Sequence, residues 1–491
     1  MILAVDIGTS LVKAALFEKS GAMKSRAEYP VALFRHPDPI RHEVDARLWI
    51  EALRQLTERL GLPGAGAVEA MVVSGNSPTL VAADAAGVPL ARAITWMDRR
   101  SVEEARLITE KRGTSTDASF FLPKALWLRR NEPEIYARAR WFFSCPEYVT
   151  FILTGSSVTF LPTPQYTRSI MWDAETVRML GMDPCKFPPF AATGSLVGSV
   201  TEAGAGATGV PRGIPVFAGA PDYIVSLLGT AAVVPGRACL RSGTSEGINL
   251  CSRTETRDPR LMCVSHLAEG CYNVSGFIST SGKALQWFKD ATGKAAMSYG
   301  DFIDDIALIP PGSNRLLFLP YLAGERTPIW DPCARGAFIG LTLNHRRRDM
   351  TRAVVESVAY AIRDVVETME EAGMSVRDLR ISGSPSRSAT WNQIKADVTG
   401  RRILVPAQED SDLAGDACIA LFGLGEHASI AAAADAIVTM GAVFEPDPGR
   451  GRVYDELFCL YRESYKGLRS VFAKLAVGPA AGARADHEAG G

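Results

Sequence analysis

Gly8-Thr9-Ser10 forms a polar turn between two apolar segments, residues 2–5 and 11–17, and Gly243-Thr244-Ser245 does the same between residues 238–241 and 248–251. A further β-rich stretch follows each pair, near residues 27–33 and 271–274. Each half of the chain therefore opens with a β-meander whose first turn is Gly-Thr-Ser, a repetition of architecture more than of sequence. A small meander has no core of its own, so each needs its own covering elements, and 491 residues exceed what one core usually supports. The pattern predicts two similar α/β domains facing a cleft, divided as residues 1–230 and 231–475. An Ala- and Gly-rich stretch, 476–491, reads as a mobile tail.

Helical periodicity supplies those covering elements. Residues 43–60 place Val44, Leu48, Trp49, Ala52, Leu53, Leu56 and Leu60 on one side, and residues 349–372 do the same with Ala353, Val354, Val358, Ile362, Val365 and Met369. Residues 391–399 and 413–424 are further helical segments. An apolar strand of the buried kind, residues 67–74, ends in the polar turn Gly75-Asn76-Ser77-Pro78. Trp287 and Trp391 read as core or helix-packing aromatics, Arg346-Arg347-Arg348 as a solvated turn, and His266 as a structural histidine. Lys124 reads equally as a functional residue or a surface lysine.

Composition narrows the function. A formal net charge of -1, without a basic block, argues against nucleic acid and anionic membrane as partners. No apolar run approaches a membrane span. Nine scattered cysteines without a C-x-x-C pair fit the reduced thiols of a cytoplasmic protein. Six histidines, none at ligand spacing from those cysteines, make a zinc site a poor reading.

Two glycine patterns are decoys. Gly204-Ala205-Gly206-Ala207-Thr208-Gly209 matches G-x-G-x-x-G, but no strand is expected before it and Pro211 follows, so it reads as a loop. Gly276 to Lys283 has one residue too many for a P-loop and carries Ala284 where a magnesium-holding hydroxyl belongs.

Phosphate can be held without a P-loop, because a tight Gly-Thr-Ser turn aims backbone N–H groups and hydroxyls at phosphate oxygens. Asp6, at the end of its strand, could hold magnesium, and Lys13 could offset phosphate charge. The first turn alone is equally a plain hairpin; the matching Gly243-Thr244-Ser245 turn favours the functional reading. Phosphoryl transfer to an alcohol also needs a positioned base. Asp222 follows an apolar strand within a small-residue turn, residues 216–222, where both a base and a helix N-cap are suitable readings, compatible with each other.

With these residues in place the chain resembles the FGGY carbohydrate kinases, and xylulokinase-like members in particular. Trp96-Met97-Asp98-Arg99-Arg100 looks like that family's W-x-D-x-R segment, and Pro123-Lys124-Ala125-Leu126-Trp127-Leu128 like its first signature. Gly336-Ala337-Phe338-Ile339-Gly340-Leu341, with Asp349 and residues 353–356, looks like its second. The resemblance implies an α/β fold of two actin-like (ribonuclease-H-like) domains flanking a catalytic cleft. It also implies ATP as phosphoryl donor, Mg2+, a small sugar or polyol as acceptor and a homodimer as a reasonable assembly. Asp222 then matches the base. Thr9, Ser10, Gly243, Thr244, Gly282 and Gln286 match nucleotide-side positions, with Ser384 and Ser388 in the adenosine segment. Asn76, Ser77, Asp98, Arg168 and Tyr223 match the substrate side.

The chain departs from the pattern in four places. Gly75-Asn76-Ser77 stands where xylulokinases carry Met-His-Gly, and Tyr223 replaces a small amide after the base. Gly383-Ser384-Pro385 replaces a run of three glycines, and Asp416 falls where a small residue is usual. The expected activity is ATP-dependent phosphorylation of a sugar or polyol hydroxyl, xylulose being the first candidate. The alternatives are a catalytically weak sugar- and ATP-binding sensor, motivated by the altered adenosine segment, and an ATPase or phosphatase that uses water as acceptor.

Overall fold

Strand β1, Ile2–Ile7, is buried along its whole length because a parallel neighbour and helices cover it. In the computed structural model, which describes residues 1–62, 67–169, 171–408 and 410–476, β1 lies inside a six-stranded sheet. The other strands are β2 (Leu11–Phe17), β3 (Met23–Pro30), β4 (Ala70–Gly75), β5 (Leu196–Ser199) and β6 (Pro215–Phe217), in the order β5-β6-β4-β1-β2-β3. The meander β1-β2-β3 is antiparallel, whereas β1, β4 and β6 run parallel. The residues expected as a tail lie, from 477 onward, outside the described residues.

The chain forms two units. Unit 1 gathers Met1–Val234, Val264–Cys271 and Pro406–Thr439; unit 2 gathers Pro235–Cys263, Tyr272–Val405 and the chain from Met440 on. The linear division expected at residue 230 is thus crossed twice. The reason is packing at small residues. The Ser411–Gly423 helix lies on the Asp222–Gly229 helix and on β1 and β4. A Cβ on Gly415 would fall 2.0 Å from the Val225 carbonyl oxygen, and one on Gly229 would fall 1.7 Å from that of Ser411. The two helices meet backbone to backbone, a contact that no spacing in sequence announces.

Unit 2 repeats the design with seven strands: β7 (Arg237–Ser242), β8 (Glu246–Ser252), β9 (Met262–Ser265), β10 (Tyr272–Ile278), β11 (Asp378–Ser382), β12 (Arg402–Pro406) and β13 (Met440–Phe444). Their order is β9-β10-β8-β7-β11-β12-β13, with β7 antiparallel to β8 and parallel to β11. The Arg347–Glu371 helix buries Val354, Val358, Ile362, Val365 and Met369 in this unit's core. At about 2 kcal/mol for each such side chain, that stripe is what holds the helix, rather than its propensity.

Several expectations change. The G-x-G-x-x-G stretch is no loop: Glu202–Thr208 is a helix whose N-cap Thr201 accepts from the Gly204 N–H, and β5 precedes it. Gly204 serves helix packing, since a Cβ there would meet the Leu153 carbonyl oxygen at 2.2 Å, so the rejection of a dinucleotide site stands on different grounds. The first long helix starts at Arg47, residues His42–Val44 being a short strand instead. The two tryptophans divide between the expected readings: Trp391 is buried in the core, while Trp287, 41% exposed, packs its helix on Phe318. Arg347 and Arg348 begin a helix and share Asp305. Among the described residues no helix is long and apolar enough to cross a membrane.

Gly415→Val forces a side chain into the helix–helix contact. It is expected to lower the unfolding free energy by about 3 kcal/mol, read as a fall in the urea midpoint at unchanged slope.

Candidate active site

Three chain segments of unit 1 end at one edge of its sheet because β1, β4 and β6 run parallel. Asp6 pairs with Ser74 and Ile7 with Gly75 in register, and Gly75 bridges to Pro221, immediately before Asp222. The turn after β1, the Gly75-Asn76-Ser77 turn after β4 and Asp222 beyond β6 therefore share the carboxyl-terminal edge. Open parallel sheets bind ligands at that edge. Asp222 is half-buried at the first position of its helix, and one carboxylate oxygen accepts from the Tyr223 N–H at 2.7 Å.

Negative charge is concentrated behind this edge. Lys13 Nζ lies 3.2 Å from Asp6, 3.2 Å from Asp410 and 3.7 Å from Asp412, while Arg26 also reaches Asp410 at 3.3 Å. Lys13 was expected to offset phosphate charge; the structure ties it to these three carboxylates. Asp416 is fully buried and accepts from Ser74 Oγ at 2.7 Å. Burial, reinforced by Asp6, Asp412 and Asp410, raises its carboxyl well above the ordinary range in spite of that hydrogen bond. Burial likewise pushes Asp6 up, against the pull of Lys13 and helped by Asp412, Asp410 and Asp222. Asp6 Oδ1 is buried and has no hydrogen-bond partner among the described residues.

The substrate-side expectations separate. Asn76 is buried, donating to the Ile7 carbonyl at 2.8 Å and accepting from Thr79, so its amide braces the turn, while Ser77 beside it is half-buried. Asp98 has no exposed surface, and both its oxygens are taken by Arg100 and the His42 N–H, with Glu43 completing the ion cluster. Tyr223 is half-buried, its ring stacked on that of fully buried Tyr166 and its hydroxyl 2.8 Å from the Tyr166 hydroxyl. Arg168 falls in the short Tyr166–Ser169 helix, and its side chain lies outside the described residues. Thr9 Oγ1 accepts from the Trp96 indole at 3.0 Å, and Ser10 is exposed.

Unit 2 brings its six predicted nucleotide-side residues to one cavity of about 940 Å³: Gly243, Thr244, Gly282, Gln286, Ser384 and Ser388 all line it. The Gly282–Ala291 helix starts against the turn, with Gly282 N–H bonded to the Gly243 carbonyl and Lys283 N–H to that of Thr244. Gln286 is held by Asp290 and by the Tyr299 hydroxyl. Of the altered glycine run, Gly383 keeps the demand for glycine: its φ is 89° and a Cβ would sit 2.0 Å from the Ser242 carbonyl oxygen. Ser384 and Pro385 instead open a short 3-10 turn, so their side chains fit without that approach.

Sequence reading missed Asp410 and Asp412 altogether and saw Asp416 only as a departure. The signal was present: three acids, two of them four residues apart, open an otherwise apolar helix in Asp410-Ser411-Asp412-Leu413-Ala414-Gly415-Asp416. Tyr166 carried no signal, since its partner is 57 residues away.

Residues 1–229 match the N-terminal domain model of the FGGY family of carbohydrate kinases, and residues 238–424 match that family's C-terminal domain model. A xylulose kinase from Staphylococcus epidermidis is 29% identical over 498 residues, covering 97% of this chain and 98% of that protein. A gluconokinase from Bacillus licheniformis is 26% identical over 503 residues, covering 97% of each. The crystal structure of xylulose kinase from Rhodospirillum rubrum superimposes with a TM-score of 0.83 at 28% identity, covering 96% of this chain and 99% of that one.

Lys124, read as surface or functional, is fully buried and donates to the Pro78 carbonyl at 2.6 Å, bracing the turn that carries Asn76 and Ser77. Burial lowers its ammonium to about 7, with Asp98 and Asp117 opposing and Arg99 and Arg100 adding. Between that value and the ordinary 10.5 the unfolded chain holds a proton at this position that the folded chain does not, so this residue makes stability rise with pH across the window. Lys124→Met should flatten that rise, seen by comparing urea midpoints of the two proteins at about pH 7 and about pH 9.

Proposed function

Because this chain belongs to the FGGY family of carbohydrate kinases, we propose that it transfers the terminal phosphoryl group of ATP to a hydroxyl of a small sugar or polyol, with Asp222 as general base. The observation that carries the reading is the common edge in unit 1, where Asp222, the Asn76-Ser77 turn and the turn after Asp6 come together on three parallel strand ends. The 940 Å³ cavity of unit 2 suits the nucleotide, with Gly243 and Thr244 at the phosphates and the 384–388 segment toward the adenosine.

Asp222 accepts the proton of the acceptor hydroxyl as that oxygen attacks the γ-phosphorus. The new oxygen–phosphorus bond forms, the bond to the β-phosphate bridging oxygen breaks, and ADP leaves with that electron pair. Thr9 and Ser10 present hydroxyls and backbone N–H groups to the transferring phosphoryl group. The residues fit a magnesium ion: Asp6 Oδ1 is a buried oxygen without a partner, in surroundings rich in carboxylate. Such an ion neutralises phosphate charge when bound.

Xylulose is the first acceptor to test and gluconate the second, following the activities for which the two relatives are named. Tyr223, pinned by Tyr166, places an aromatic ring next to the base and favours an acceptor that packs a carbon face on it.

A coupled ADP-release screen over ketopentoses, aldoses, pentitols, tetritols, glycerol and gluconate should reveal acceptor-dependent turnover. Asp222→Asn should reduce that turnover by about 10³-fold while ADP binding persists. Near-normal turnover in this variant would refute the assignment of the base, and ATP hydrolysis indifferent to every acceptor would point to water as the acceptor.

A further inference from the structure

A buried ion pair stands behind the cavity of unit 2. Lys395 and Glu246 have no exposed side-chain surface, and Lys395 Nζ lies 3.1 Å from Glu246 Oε1. Their remaining partners bracket the cavity's backbone frame. Ser242 is the residue before the Gly243-Thr244-Ser245 turn and Glu246 the residue after it. Ser242 Oγ accepts from Lys395 at 3.0 Å and donates to Glu246. Ser281, which immediately precedes the Gly282–Ala291 helix, donates to the other Glu246 oxygen at 2.5 Å.

On its far side the ammonium lies 4.8 Å from the ring centroid of Trp391, which lines the same cavity one helical turn earlier than Lys395. One knot therefore joins both feet of the turn, the start of one helix and the helix behind the 384–388 segment. Two fully desolvated charges are a poor way to gain stability, since well-packed apolar residues usually do as well or better. What the pair supplies is geometry: five polar atoms fixed in one arrangement under the exposed tip that carries Thr244.

We infer that Lys395 and Glu246 are positioning residues for the nucleotide, holding the Gly243-Thr244-Ser245 turn and the Trp391 side of the cavity in one preformed frame. The inference rests on the reading of this cavity as the nucleotide site. Preorganisation of this kind acts on affinity by removing the cost of ordering the turn at the moment of binding.

The test is calorimetric titration of magnesium–ADP into the full-length protein and two double variants, alongside thermal unfolding. Lys395→Met/Glu246→Leu removes both charges without leaving one unpaired. Ser242→Ala/Ser281→Ala keeps the ion pair and cuts its ties to the frame. Both should bind ADP about tenfold more weakly. The apolar pair should unfold near the parent temperature. The serine pair, which deprives Glu246 Oε2 of its Ser281 donor, should unfold at a lower temperature but still be folded at about 25 °C. Ser242→Thr/Ser281→Thr, which retains the hydroxyls, should recover most of the affinity. If the first variant does not fold, the serine pair decides alone. Parent-like ADP affinity in a folded Ser242→Ala/Ser281→Ala protein overturns the inference and leaves the nucleotide site intact. A parent protein that binds no ADP overturns the nucleotide reading and the inference with it.

Discussion

The backbone-to-backbone contact between the Asp222–Gly229 and Ser411–Gly423 helices is the constraint on which the rest of unit 1 depends. Gly229 and Gly415 let two helices approach until carbonyl oxygens take the place of side chains. That approach puts Asp410 and Asp412 next to Lys13 and Asp416 against Ser74 of β4, and Asp412 accepts from Ser226 on the helix that Asp222 begins. Without it the helix that Asp222 begins would have no fixed backing, and Asp6 would lose the neighbouring carboxyls at 410 and 412 that help to raise its own.

The charge arrangement has its own logic. One lysine and one arginine face Asp6, Asp410 and Asp412, and behind them burial raises the carboxyl of Asp416 in spite of its hydrogen bond from Ser74. A carboxyl raised in this way favours its neutral form, which can share a wall with charged neighbours at lower cost than a further buried charge.

Much of this was legible from the chain alone, and the boundary of legibility is physical. Strands, their turns and the Gly-Thr-Ser tips follow from local pattern, and the position of Asp222 at the sheet's edge follows from its place after an apolar strand. The gathering of Gly243, Gly282, Gln286, Ser384 and Ser388 around one cavity was foreseeable only through the resemblance to a known family. Contacts set by distant packing were not legible: Tyr166 under Tyr223, Asp410 beside Lys13, Lys395 against Glu246. Local rules also misled where tertiary structure overrode them. Thr201 caps a helix in a stretch with three glycines, and Lys124 lies buried although lysine is seldom found there.

The return of Pro406–Thr439 to unit 1 carries a consequence for biosynthesis. A ribosome releases Asp222 long before it releases Gly415, so during most of translation the Asp222–Gly229 helix has no partner for its glycine face. The nascent first unit must wait, partly assembled and with apolar backbone exposed, until the last fifth of the chain emerges. Its folding is therefore governed by contacts of high sequence separation, the slow and aggregation-exposed kind. Since Tyr454, Leu457, Phe458 and Tyr461 belong to the core of unit 2, the two units both complete their cores only as the end of the chain emerges.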